Sequence, residues 1–374
     1  MPSISSHIPE LSPLDQLVRE CPPGFGGIER VAHTIASQQN GVVYYCRPSK
    51  AASTFLSINY SRSLLPCLFW GKLLFPLPSL CLLRLLFKNR PLIVHLPCPS
   101  LLFFASLAKL LNPRRRIYIY WHAFLVPDSS FYGFLVFIYQ YISLRLIAIF
   151  PVVTTSPVLR DSLISAGLSA SRVSILPCVL PSEFESLTQS IPRYKSNPSS
   201  GVVIFIGRLD SYKRIDLLID LFIQSKYASV LHVVGSGPEE NALQEFCSNL
   251  HLPTKRVNLH GCLEELQKCI LLSSSDLLLL PSDKCNEAFG IVQLEAMACG
   301  IPSLSRCIEN SGMFWVCNLP CYNWDGNFDT VLTLMDYLLS SPSLYSLASS
   351  QALSRYNSTF SRKVWHNNFL NCFY

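Results

Sequence analysis

In the second half of the chain, short apolar runs alternate with stretches whose apolar residues recur at helical spacing. Gly201 to Ile206, Val230 to Val234, Val257 to His260 and Asp276 to Leu280 each have the length and composition of a buried strand, and the last stops at Pro281. Helical runs fall between them: Ile215 to Gln224, one from Glu239, and one around Leu263 to Leu272. Strands alternating with helices predict a parallel doubly wound sheet, which binds ligands at the carboxyl ends of its strands. The first half repeats the pattern more loosely, with strands expected at Leu92 to Leu96, Ile117 to Trp121, Val152 to Thr155 and Val173 to Leu176. Ahead of its glycine-rich Pro22 to Val31 segment there is only a weak strand candidate, Leu14 to Cys21.

The loops that follow these strands carry the chemistry. Glu287-Ala288-Phe289-Gly290-Ile291 leads into a short helix that runs through Glu295 toward Pro302. Gly290, lacking a Cβ, lets backbone approach a ligand closely, and the first N–H groups of a helix form a seat for phosphate. Glu287 and Glu295 flank that seat, so their carboxylates are placed to accept hydrogen bonds from the hydroxyls of a nucleotide sugar. Upstream, Gly207-Arg208-Leu209-Asp210-Ser211-Tyr212-Lys213-Arg214 sets cations between a strand and a helix. Arginine offers a planar fork and lysine a mobile point charge, and together they suit a diphosphate. Val234-Gly235-Ser236-Gly237-Pro238 is a second glycine turn at a strand end.

With those residues in view, the C-terminal half resembles the nucleotide-sugar lobe of the large group 1 family of retaining glycosyltransferases, closest locally to mannosyltransferase-like members. The resemblance rests on Gly207-Arg208 with Lys213, on the Val234 to Pro238 turn and above all on Glu287 to Pro302, and it extends in order over roughly residues 20 to 305. It implies the α/β GT-B fold, two Rossmann-like doubly wound lobes facing a cleft. An acceptor-side lobe would span residues 1–188 and a nucleotide-sugar-binding lobe 198–350, joined between Ser186 and Ser200. A helix within 351–374 would cross back to the first lobe. It further implies that Arg208 and Lys213 bind the donor diphosphate with the backbone around Phe289, Gly290 and Ile291. Glu287 would hold the sugar hydroxyls and Glu295 the ribose. Gly26 and Gly27 match the family's first glycine-rich loop, near donor phosphate and acceptor. His122, at the end of the Ile117 to Trp121 strand, matches a histidine that faces the transferred sugar. His95 ends an apolar strand in the same way and reads as structural.

Composition changes the picture in one respect. The chain has 374 residues, 49% of them hydrophobic and only 14% charged, with a mean hydropathy of +0.31. From Arg30 to Pro127 there is no acidic residue, while cations such as Arg84, Lys88, Lys109 and the Arg114-Arg115-Arg116 triplet interleave with apolar runs. Such a surface is attracted to anionic membrane at about 1 kcal/mol per cation. Peripheral attachment to the inner face of the cytoplasmic membrane is therefore expected, in a cytoplasmic protein. The best candidate span, Ser129 to Leu144, falls short of the roughly 18–20 apolar residues a crossing helix needs. No signal peptide is visible at Met1 to Gln16, and the 15 cysteines show no framework, which favours reduced thiols.

No nucleic-acid module is present, and no metal, P-loop or serine-hydrolase motif occurs. No cofactor and no metal are expected; the donor is a GDP- or UDP-linked sugar and the acceptor a lipid-linked or polysaccharide glycan. Two features depart from the family pattern: Arg214 replaces the usual glycine after the lysine, and Ser311 to Val316 stands where a strand is expected after Pro302. Two further readings stay open, a non-catalytic nucleotide-sugar-binding subunit of a glycosyltransferase complex and a nucleotide-sugar epimerase on the same fold.

Overall fold

The weak candidate near the N-terminus is a central strand. In the computed structural model, which describes residues 12–24, 26–48, 56–70, 73–191, 201–250, 252–318 and 324–374, β1 (Asp15–Glu20) is paired on both sides. Its polar residues disguise it in the sequence. Asp15 and Gln16 are fully buried, and distant groups satisfy them. Asp15 accepts a hydrogen bond from the Val42 N–H at 2.9 Å and pairs with Lys88 at 2.9 Å. Gln16 donates to the Ala32 carbonyl at 3.0 Å and meets the His95 ring at 2.9 Å. That contact, with Tyr120 stacked at 5.6 Å, makes His95 a structural residue.

Two compact units divide the chain, one reaching Trp121 and including Ile149–Val152, the other holding His122–Ala148 and Val153–Tyr374. In the first, β1 is followed by α1 (Gly27–Ser37), β2 (Val42–Arg47), β3 (Ser61–Leu64), and a hairpin of β4 (Cys67–Trp70) and β5 (Leu73–Pro76). Then come α2 (Leu80–Phe87), β6 (Leu92–Leu96), α3 (Pro99–Leu111) and β7 (Ile117–Trp121). The parallel strands lie in the order β3-β2-β1-β6-β7. The arginine triplet is not uniformly a surface charge. Arg115 is 1% exposed, and its guanidinium donates to the Leu85 and Arg90 carbonyls, so it ties α2 and the following loop to β7.

The second unit opens with α4 (Phe131–Ile147). It continues through β8 (Val152–Thr154), α5 (Pro157–Ser165), β9 (Val173–Ile175) and α6 (Ser182–Ser190), with β8 beside β9. Next come β10 (Val202–Ile206), α7 (Ile215–Gln224), β11 (Val230–Val234), α8 (Glu240–Ser248), β12 (Arg256–Leu259), α9 (Glu265–Ser274) and β13 (Leu277–Leu280). The chain ends with α10 (Val292–Ala298), β14 (Ser303–Ser305), α11 (Met313–Cys317), α12 (Phe328–Ser340), α13 (Pro342–Arg355), a π-helical turn at Tyr356–Phe360 and α14 (Arg362–Phe373). A five-stranded parallel sheet runs β12-β11-β10-β13-β14. Leu277 to Leu280 are all buried, each contributing about 2 kcal/mol of apolar burial. α14 packs on β9, and Arg362 donates to the Leu180 carbonyl at 3.1 Å.

One expectation is corrected. A strand does follow Pro302, namely β14, in parallel register with β13 (Leu279 opposite Leu304). Its serines hide it: Ser303 donates to the Gln293 side chain at 3.1 Å and Ser305 to the Met313 carbonyl at 3.2 Å. The segment from Ser311 to Val316 forms α11 beyond it. Phe25 in the glycine-rich loop and residues 192–200 of the expected lobe junction lie outside the described residues.

Candidate functional site

In the order β12-β11-β10-β13-β14 the winding reverses between β10 and β13. A parallel sheet opens its ligand crevice at such a reversal, outside the carboxyl ends of the strands. The loops leaving these two strands carry Lys213 and Glu287.

The loop after β10 holds Gly207, Arg208 and a 3₁₀ turn, Ser211–Lys213, that ends at Arg214 in the left-handed region with φ 52°. The loop after β13 runs beside it. The Asp283 N–H donates to the Tyr212 carbonyl at 3.0 Å, and Arg214 reaches the Asp283 carboxylate at 3.4 Å. The Lys213 ammonium is in ion-pair contact with the Glu287 carboxylate, with side-chain exposures of 9% and 18%. Burial works against the charge on Lys213, but the field of Glu287, aided by Tyr212 and the hydrogen bond to Glu287, outweighs it and raises the lysine pKa. Lys213 therefore keeps its charge at neutral pH, held against the Glu287 side chain where the two loops meet. Arg208 lies further out, 69% exposed and 3.2 Å from Asp210, where it can swing toward an anionic ligand.

Glycine fixes how these loops meet. Gly235, after β11, has φ +138°, and a Cβ on it would lie 1.8 Å from the Gly207 carbonyl oxygen. The backbones touch there, locked by Gly207 N–H to Val234 at 3.0 Å and Leu209 N–H to Ser236 at 3.0 Å. Gly290, with φ +70°, turns the chain into α10, and Gln293 holds the turn by donating to the Phe289 and Met313 carbonyls at 3.1 and 2.9 Å. α10 is only 7 residues long, so anion binding at Gly290 and Ile291 would draw on local N–H groups rather than on a long summed dipole. Phe289 is buried edge-on against Trp315 and Phe360, and Arg355 lies over both of those rings at 5.3 and 5.5 Å. Ser311 donates to the Glu287 carbonyl at 2.5 Å, and the Gly312 N–H donates to Ala288 at 2.8 Å. The departure in sequence after Pro302 is therefore the segment that braces Glu287 from behind.

Glu295 lies deeper than its spacing alone indicates. It is fully buried on α10, and Lys268 of α9 pairs with it at 3.0 Å and with Glu265 at 2.6 Å. Lys268 escapes a sequence reading because Glu265 and Lys268 resemble an ordinary exposed helical pair. The fold turns that pair inward onto a carboxylate of another helix.

His122 is the first residue of the second unit after β7, 7% exposed. Burial lowers its pKa to about 3, so its ring is neutral at physiological pH. Two residues on, the Phe124 carbonyl accepts from the Cys285 thiol at 3.7 Å, which seats the His122 segment against the loop bearing Glu287. Gly26 and Gly27 lie in the first unit at the start of α1. A Cβ on Gly26 would meet the Glu29 carboxylate at 1.9 Å, so this side chain folds back over the helix start. The second unit thus gathers Arg208, Lys213, Gly235, Glu287, Phe289, Gly290, Ile291 and Glu295 around one sheet reversal.

Residues 188–310 match the family described as Glycosyl transferases group 1, and residues 25–184 match the one described as Glycosyltransferase Family 4. Over 120 residues the chain is 36% identical to N-acetyl-alpha-D-glucosaminyl L-malate synthase of Bacillus anthracis, covering 32% of this chain and 30% of that one. Over 118 residues it is 30% identical to D-rhamnosyltransferase WbpZ of Pseudomonas aeruginosa, again covering 32% and 30%. The chain therefore spans under a third of the length of these curated relatives. In fold it is similar to Anabaena Alr3699/HepE, crystallised in complex with UDP, with a TM-score of 0.70 at 16% identity over 96% of this chain and 99% of that one. With the fold, the reversal-point site and the tandem matches in agreement, the chain belongs to the group 1 glycosyltransferases of the GT-B fold.

Proposed function

We propose that the protein transfers a hexose, with retention of configuration, from a nucleoside-diphosphate sugar to a lipid-linked or polysaccharide acceptor. It would do so in surface glycan synthesis, at the inner face of the cytoplasmic membrane. The observation that carries this reading is the buried Lys213–Glu287 pair at the reversal of the sheet. Lys213 and the exposed Arg208 would take up the charge that grows on the diphosphate as the glycosidic bond breaks, the role a metal plays elsewhere. Glu287 would accept from hydroxyls of the transferred sugar, and Glu295, set by Lys268, from the ribose. Neutral His122 would face the sugar as a hydrogen-bonding group. The leaving phosphate can receive the acceptor's proton on the same face, so no protein base is required. UDP in the similar Anabaena protein supports a uridine donor, and GDP is the alternative.

The test is calorimetric titration with UDP and GDP on wild type, Lys213→Ala and Glu295→Ala, followed by the anomeric configuration of the transferred sugar. Binding of one nucleotide, weakened in both variants, with the donor's anomeric configuration kept in the product, is expected. Absence of binding to either nucleotide would turn the reading toward a non-catalytic subunit, and an anomeric configuration inverted relative to the donor would end the retaining mechanism.

A further inference from the structure

α4 is turned inside out. A helix on the surface of a globular protein hides an apolar stripe and shows polar residues. α4 buries Gly133, Ser143 and Ile147, and uses Gln140 inward to accept from the Leu125 N–H at 2.7 Å. Outward it presents Phe131 at 77% exposure, Phe134 at 57%, Phe137 at 55% and Tyr141 at 56%, with Leu135 and Ile142 beside them. These positions recur at three- and four-residue spacing, so they form one continuous face along the helix. An apolar face of this extent marks a surface that is covered in use.

We infer that α4 lies flat in the boundary between headgroups and acyl chains of an anionic bilayer, aromatic face down. Charge selects the occupant. The sequence holds no acidic residue between Asp128 and Asp161. Asp128 itself, at the start of the helix, is held by the Ser130 N–H at 2.9 Å. The other end is cationic: Arg145 stacks over Tyr141 at 5.3 Å, and Arg172 donates to the Ala148 carbonyl at 3.3 Å. Aromatic rings next to arginine, with Asp128 at the helix start as their one acidic neighbour in sequence, match the interface of an anionic lipid layer. The helix has 17 residues, and among the described residues no helix is long and apolar enough to cross a membrane, so α4 lies along the surface. This deepens the peripheral-membrane reading by naming the element that inserts, and it rests on that reading.

The experiment is flotation of the full chain with vesicles of phosphatidylcholine alone or mixed with phosphatidylglycerol. It compares wild type with F134S/F137S, with Arg145→Glu and with R114Q/R116Q, with UDP and GDP binding and light scattering run in parallel. Wild type should float with the mixed vesicles, F134S/F137S should bind them at least about tenfold more weakly, and Arg145→Glu should lose the preference for anionic lipid. Nucleotide binding should match wild type in these variants. If R114Q/R116Q lowers flotation and F134S/F137S does not, the membrane reading stands and α4 is not its anchor. If wild type floats with neither vesicle, both fall. A wild-type dimer that F134S/F137S splits, without vesicle binding, would assign the face to a second copy instead. Loss of nucleotide binding by wild type with flotation intact would spare α4 and undo the glycosyl-transfer reading.

Discussion

Lys213 and Glu287, separated by 74 positions, face each other as a buried ion pair at the carboxyl ends of two neighbouring strands. Each is what makes the other tolerable. Breaking such a pair from one side leaves a charge without its partner and costs about 3–5 kcal/mol, whereas replacing both members is far milder. Lys213→Ala should therefore melt below wild type, and Lys213→Met combined with Glu287→Gln should recover most of that loss. Turnover should fall by about two orders of magnitude or more in both, because the donor has lost its lysine. Thermal melts together with a transfer assay separate the two effects. Near-wild-type transfer by the stable double variant would remove Lys213 from the chemistry.

Lys268 should behave as a positioning residue. With Lys268→Met, Glu295 loses the cation that orients it, and nucleotide affinity should drop by about tenfold or more. If Glu295 meets the ribose, a 2′,3′-dideoxy nucleotide should bind both proteins alike. A loss of equal size for the normal and the dideoxy nucleotide would point to a purely structural pair.

Gly235→Ala should be among the most damaging single-methyl changes in this chain. The added Cβ would fall 1.8 Å from backbone, at a φ of +138° that L-residues rarely adopt. Separating the loops after β10 and β11 should lower the melting temperature and weaken UDP binding together. A melt within a degree or two of wild type would show that the loops can part freely.

Acid should destabilise the fold through its histidines. The folded His122 pKa is pulled down to about 3 from an ordinary 6.5, so below pH 6.5 the unfolded chain takes up a proton that the folded ring refuses. Stability is full above that pH and declines as pH falls toward 3. His232, lowered to about 4 by burial and then by neighbouring His260 at 2.9 Å, acts in the same direction. Melts between pH 7 and 4.5 should show a shallower slope for His122→Gln than for wild type. Equal slopes would place the acid sensitivity elsewhere.

The legible parts of this sequence were those whose partners lie close by. The β10 to β13 strands and the turn at Gly290 announce themselves through local apolar runs and glycine. β1 and β14 do not, because Asp15, Gln16, Ser303 and Ser305 look like loop residues until distant groups satisfy them. The loop residues Arg208, Lys213 and Glu287 stand in short local patterns that a sequence displays, and the family resemblance singles them out. The depth of Glu295 could not, since it depends on how α9 packs against α10. The arginine triplet shows the converse: three neighbouring cations read alike, yet Arg115 is an internal strut.

The contact of Phe289 with Phe360, under the cover of Arg355, has a consequence in time. A chain grows from its N-terminus, and its parts fold as they emerge. Residues 281–291 leave the ribosome ahead of the stretches that pack on them, so on a nascent chain the ring of Phe289 gains its aromatic neighbours in two steps, Trp315 first and Phe360 later. The packing of the turn at Gly290 is thereby completed only once Phe360 has been made, and a chain cut before Arg355 should keep Phe289 without that part of its cover.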